Sequence, residues 1–136
     1  MALDLIMDVN VTAASRQSGT SATADAERGF APARRIRQTV STLTRSALHA
    51  PFEVAAAENR QIDLGSLTDP RFLFVVVYSG TIKVRTSGVA GEALSVSPPA
   101  TGQVGLFLIT APATGLWLEN AGTDPVLCEV LAAGLE

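Results

Sequence analysis

The stretch RFLFVVVYSGTIKVRTSG, residues 71–88, decides the fold class because it holds two apolar runs joined by a short turn. Phe72 to Tyr78 are consecutive apolar or aromatic residues, and the run has the length and the β-branched and aromatic content of a strand. Ser79 and Gly80 follow it, and this pair predicts a tight hairpin to the second run. We therefore expect two neighbouring antiparallel strands here.

The first of these strands is apolar on both of its faces. Successive residues of a strand point to opposite sides of the sheet. Two sets result, namely Phe72, Phe74, Val76 and Tyr78 on one face and Leu73, Val75 and Val77 on the other. A sandwich strand usually turns one face to the core and one to water. The pattern therefore predicts that an arm, a loop or another subunit also covers part of the outer face. The run VGLFLI, residues 104–109, has the same two-sided character.

The chain from Phe52 onward repeats short apolar runs separated by turn residues. Gly, Pro, Asn and Asp concentrate between the runs, as in SPPATGQ and NAGTDP. The candidate strands are residues 52–57, 60–64, 71–78, 81–86, 92–97, 104–110, 116–120 and 126–132. Many short strands at this spacing predict an all-β protein, with an antiparallel β-sandwich or a barrel as its architecture.

The first part of the chain differs in composition and predicts an N-terminal arm. Leu3 to Val11 alternates apolar and polar positions, which predicts a half-buried strand. Residues 13–33 are small, polar and Gly/Pro-containing, as in a flexible or partner-ordered connection. Residues 34–50 fit a helix by spacing and a strand by Thr and Val content, and we favour the strand. The predicted organisation is an arm over 1–33 and a sandwich domain over 34–136.

Composition limits the classes of partner. The chain has 136 residues, of which 47% are hydrophobic and 17% charged, and its net charge is −3. Few charges leave little surface that must face water, which favours subunit contacts. A net negative chain lacks the basic field that attracts nucleic acid or an anionic membrane, so we expect neither partner.

No apolar run has the length of a membrane span, and Asp4 and Asp8 stand where a signal peptide would carry basic residues. We expect the chain to stay in a cytosol-like compartment.

Residues that could carry catalysis are few. His49 is the single histidine, so the chain cannot supply the histidines of a cupin-type metal centre, and we predict a loop or packing role for it. Cys128 is the single cysteine and lies in a strand-like run, which predicts a buried structural thiol. Asp4, Asp8 and Asn10 share one strand face, but alternate strand residues are about 7 Å apart, too far to enclose a cation. We expect no enzyme activity, metal or cofactor.

Protein contacts are a better explanation of the remaining prominent residues. Arginine favours bidentate contacts with carboxylates, so the arginine cluster in PARRIR predicts binding to an acidic protein surface. Nucleic acid binding and a plainly solvated face are the alternatives for that cluster. Trp117 predicts core or interface packing, with sugar stacking as its alternative. The interface candidates are Arg34, Arg35, Arg37, Phe72, Phe74, Val75, Val77 and Trp117.

Two segments, RFLFVVVYSGTIKVRTSG and GLFLITAPATGLWLENAGTDPVLCEVLAAG, resemble small β-sandwich virion proteins of tailed bacteriophages. They are most similar to capsid decoration, or cement, proteins with a jelly-roll fold, and the resemblance covers about residues 52–134. It implies a homodimer or homotrimer that clamps major capsid subunits without catalysis, in a virion assembled in the host cytoplasm. The alternative is a tail or fibre component, or a small β-sandwich module that binds carbohydrate or a receptor.

Overall fold

A computed structural model describes residues 3–11, 34–43, 45–110 and 112–135. The described residues form strands and connections and contain no helix, so none long and apolar enough to cross a membrane occurs among them. The strands are β1 (Leu3–Val11), β2 (Arg34–Leu43), β3 (Arg45–Val54), β4 (Asn59–Gln61), β5 (Asp69–Val77), β6 (Ile82–Arg85), β7 (Leu94–Val96), β8 (Gly105–Ile109), β9 (Trp117–Glu119) and β10 (Val126–Leu135). The all-β prediction is confirmed.

Strands β3 to β10 form two antiparallel sheets, ordered β3-β10-β5-β8 and β4-β9-β6-β7. Four of the strand pairs are nested: β3 pairs with β10, β4 with β9, β5 with β8 and β6 with β7. This part of the chain is therefore one long antiparallel ribbon, and the β10–β5 and β9–β6 pairings roll it into two layers. The nesting is the eight-stranded jelly-roll arrangement, and the predicted antiparallel β-sandwich is confirmed.

The core lies between these two sheets and is built from alternate strand residues. On β5 the core residues are Leu73, Val75 and Val77, none of which has exposed surface. Ile82 and Val84 of β6 reach the same core from the other sheet. Each of the eight predicted runs from Phe52 onward overlaps one of the strands β3 to β10. The hairpin predicted across Ser79 and Gly80 is wrong, because β5 and β6 lie in different sheets and the turn carries the chain from one sheet to the other.

Strands β1 and β2 pair with each other in a separate two-stranded sheet. The strand predicted at Leu3–Val11 is confirmed with the same bounds, and the preference for strand over helix across residues 34–50 is confirmed by β2 and β3. The chain divides into two compact units, Leu5–Val40 and Met1–Asp4 with Ser41–Glu136. The predicted connection over 13–33 lies outside the described residues.

Candidate interaction surface

The sheet β3-β10-β5-β8 carries apolar side chains on the side that faces away from the core. Directly paired residues of an antiparallel sheet lie on the same face. The strand register therefore aligns one outward-facing residue from each of the four strands, Leu48, Leu131, Phe74 and Leu108. The next outward pair is Val76 and Leu106. We call this surface the apolar face, and it consists of Leu48, Phe74, Val76, Leu106, Leu108 and Leu131.

A large part of the apolar face is accessible to solvent. Leu48 is 66% exposed, Leu106 59% and Leu108 38%, while Phe74, Val76 and Leu131 are half-buried. Single exposed apolar side chains are ordinary on a protein surface. A contiguous apolar patch is not, and it marks sites of protein contact or ligand binding. The apolar face is therefore the strongest candidate for a functional surface in the described part of the chain.

Glu129 brings a carboxylate beside the apolar face. It pairs with Val76 across β10 and β5. The Tyr78 hydroxyl donates a hydrogen bond to its carboxylate, with 2.6 Å between the two oxygens. This bond raises the pKa of Tyr78, because an ionised phenol would lose it. The Glu129 carboxylate thus accepts a hydrogen bond from a side chain of the same protein molecule.

The other sheet, β4-β9-β6-β7, turns charged and polar side chains outward. Glu119 lies between Asn59 and Lys83 in the strand register. Arg85 forms an ion pair with Glu119, and the Lys83 Nζ atom lies 3.5 Å from the same carboxylate. A polar outer face is what a solvated antiparallel sheet shows. The two outer faces of the sandwich therefore differ in chemistry, and the apolar face is the unusual one.

The Arg85–Glu119 contact predicts a measurable titration shift. The hydrogen bond from Arg85 lowers the pKa of Glu119 below its ordinary value of 4.5. The ion pair therefore contributes stability above the ordinary pKa, and this contribution is lost as pH falls through the lowered one. In an NMR titration of side-chain carboxyl carbons, Arg85→Gln should move the pKa of Glu119 back toward 4.5. Lys83→Gln should move it less, and equal shifts in the two variants would contradict this assignment.

The candidate interface residues on β5 fall on different sides of the sheet. Val75 and Val77 are fully buried between the sheets, so they belong to the core and line no surface. Phe72 is 4% exposed, which leaves Phe74 on the apolar face as the accessible candidate of this strand. We therefore remove Val75 and Val77 from the interface candidates. Because β5 is apolar on both faces, the sequence could not show which set pointed inward.

The remaining interface candidates lie outside the apolar face. Trp117 is half-buried on β9 in register with Gln61 and Arg85, and its ring lies over Gly115. It therefore belongs to the outer side of the polar sheet. The arginine candidates are on β2, and their side chains are outside the described part of the structure, namely Arg34, Arg35 and Arg37.

Sequence reasoning did not single out the leucines of the apolar face. Leu106 and Leu108 belong to the two-sided run VGLFLI, so their contribution could have been inferred from the same alternation that drew attention to β5. Leu48 and Leu131 gave no such signal, because they join the row only through the pairing of β3 with β10. Those strands are far apart in the chain, and periodicity within one strand does not reveal its partner.

The single histidine takes part in local packing. The Nε2 atom of His49 lies 2.5 Å from the carbonyl oxygen of Asp63. Its ring meets Phe52 edge-on, with 6.2 Å between the ring centroids. The Arg60 guanidinium lies over the same Phe52 ring. Among the described residues, no group of three or more His, Cys, Asp or Glu side chains is arranged to hold a metal ion.

Cys128 lies in the core, and the prediction of a buried thiol is confirmed. Burial raises the pKa of Cys128 to about 11. The thiolate is the reactive form, so we predict that the native protein resists labelling by iodoacetamide at pH 8. Labelling should become fast in a denaturing concentration of urea. Mass spectrometry of the two samples checks this, and rapid labelling of the native protein would show that the core opens readily at β10.

Comparison with known protein families, with curated proteins and with solved structures found no match to this chain.

Proposed function

We propose that this chain is a non-catalytic structural protein that decorates a virus capsid by bridging major capsid subunits. The observation that supports an assembly role most strongly is the apolar face, on which three exposed leucines adjoin half-buried apolar residues. A surface of this kind favours contact with another protein. The resemblance to capsid decoration proteins suggests the kind of assembly.

The N-terminal region is the segment that we propose for the capsid contact. Residues 12–33 contain few large apolar side chains, as is common in segments that become ordered on a partner. Strand β1 could add to an exposed sheet edge of a neighbouring subunit. The arginines at 34, 35 and 37 would then bind carboxylates of the shell, which makes attachment sensitive to salt.

A small-molecule binding module is the second candidate, because a depression lies between the Ser79–Thr81 turn and the 120–126 connection. Ligand sites combine an apolar cavity with a few polar groups that point into it. Here the Asn120 amide is already engaged, since it donates to the carbonyl oxygens of Val54 and Asp124. The depression therefore offers little to a ligand, and we rank this function below decoration.

Particle composition tests the proposed function. Virus particles from a culture that carries the gene would be purified, and their proteins quantified by mass spectrometry. We expect this chain in the particles at a copy number comparable with that of the major capsid protein. Recovery at a few copies, with the tails, would instead support the tail or fibre alternative. Absence from particles, together with tight binding of a sugar or another small molecule, would overturn the proposal.

A further inference from the structure

We propose that the apolar face is the contact surface for a second copy of this chain, with the two copies joined face to face across a two-fold axis. The contact involves one surface of the protein, the outer side of the sheet β3-β10-β5-β8. Self-association is a property of the protein alone, so the contact does not require that the protein be part of a virion.

The N-terminal connection is a poor candidate to cover the apolar face. Residues 12–33 contain no Leu, Ile, Val or Met, and Phe30 is their single aromatic residue. Covering a row of leucines requires side chains of similar apolar area, since burial of apolar surface drives the contact. Alanine, serine and threonine dominate this segment and supply little of that area. Residues 12–33 therefore do not supply the partner surface.

A second copy offers a surface of matching chemistry. In a two-fold contact the same patch meets itself, so the patch must be self-complementary. The six residues of the apolar face carry no charge, so no like charges would oppose each other within it. Glu129 lies on the same outer side in register with Val76, and in the contact its carboxylate keeps the hydrogen bond from Tyr78, which offsets part of the cost of removing its water. The apolar face thus meets the chemical requirement for self-association.

The dimensions of the sheet also suit a contact between two copies. Strands about 4.8 Å apart and residues about 3.3 Å apart give the whole outer side of this sheet an area of roughly 500 Å², since its strands have 10, 10, 9 and 5 residues. Two such faces bury about 1,000 Å² in total, which is near the lower limit for a specific protein interface. Sheets packed face to face lie about 10 Å apart, as in the core of a sandwich. The sheet β3-β10-β5-β8 would then be covered on both sides, which explains why β5 is apolar on both faces.

Charge placed on the apolar face tests the proposal. Leu48→Lys and Leu108→Lys lie at opposite ends of the row, and both side chains are exposed, so each variant should fold. Ser95→Lys is the matched control, because Ser95 is exposed on β7 and lies in register with Lys83 on the polar sheet. Circular dichroism would confirm folding, and sedimentation equilibrium would give the mass and the dissociation constant of each protein.

We expect wild type and Ser95→Lys to have twice the chain mass of 14.1 kDa. Each lysine on the apolar face occurs twice in the pair, so both leucine variants should weaken association by about a hundredfold or more. A wild-type monomer at high concentration would overturn the proposal, and so would a folded leucine variant that dimerises as well as wild type. A trimer would overturn the two-fold arrangement. A monomer found at high copy number in virus particles would sink this inference while leaving the proposed function intact.

Discussion

Val75→Asp should prevent the sandwich from forming a stable native state. Val75 has no exposed surface, and its neighbours in the core are the apolar residues of both sheets. A carboxylate there would have neither water nor a charged partner, and single substitutions of this kind cost more than about 4 kcal/mol. Domains of this size have a free energy of unfolding of only about 5–15 kcal/mol. We therefore expect loss of the native circular dichroism spectrum, or unfolding at a much lower urea concentration than wild type.

Phe74→Asp is the matched control for this prediction, because it places the same side chain at the next position of the same strand. Phe74 is half-buried on the apolar face, so water can reach the new carboxylate. At low protein concentration we expect this variant to fold and to lose about 1–2 kcal/mol of stability. Urea titrations followed by Trp117 fluorescence would compare the two. Equal loss of stability in both variants would mean that both faces of β5 are buried to the same degree in a single chain.

The difference between these two positions marks a limit of what the sequence could predict. The run from Phe72 to Tyr78 predicted a strand with two apolar faces, and the structure places that strand in the middle of a four-stranded sheet. Which face points inward depends on the partners of the strand, and both faces of β5 contain large apolar side chains. Pairing with β10 and β8 sets the inward face, and no pattern within residues 71–78 contains that information.

Turn chemistry made the strand boundaries easier to predict than the strand partners. Gly80 and Gly102 have positive φ values, 72° and 79°, so these connections use glycine where other residues would be strained. The sequence indicated the irregular pairing of β10 less clearly than it indicated the turns. Its pairing with β5 shifts between Ala133 and Gly134, where a β-carbon at Gly134 would collide with the backbone of Asp69 and Pro70. A glycine within a strand suggests a bulge or a close backbone approach, but it does not identify the approaching strand.

Asn120 is a polar residue that joins the two sheets, and its burial could not be predicted from its neighbours in the sequence. NAGTDP predicted a turn, and residues 120–125 do connect β9 to β10. Asn120 at its start is nevertheless only 1% exposed. Its amide nitrogen lies 3.1 Å from the carbonyl oxygen of Val54 on the other sheet and 2.8 Å from that of Asp124. Asparagine is so common in turns that its type alone does not indicate burial.

Asn120→Asp is therefore expected to destabilise the sandwich strongly, although it replaces only the side-chain amide nitrogen with an oxygen. The substitution replaces the amide donor with a carboxylate oxygen, which would face the carbonyl oxygens of Val54 and Asp124 without a proton between them. Gly122 would still donate to the other side-chain oxygen, a contact of 2.9 Å in the native protein. Two lost hydrogen bonds and a buried charge should cost at least about 3 kcal/mol at pH 7. Urea unfolding measures this difference.

The pH dependence of that loss separates it from a simple packing defect. Burial among carbonyl oxygens raises the folded-state pKa of the introduced carboxyl above the ordinary aspartate value of about 3.9. The folded variant then holds its proton at pH values where the unfolded chain has lost it, so stability falls as pH rises. We expect the deficit relative to wild type to be smallest below about pH 4 and to grow as pH rises. Gln103→Glu, the same amide-to-acid change at an exposed loop residue, should show little loss at any pH. A deficit that stays constant across this range would show that the Asn120 side chain does not donate to these carbonyl oxygens.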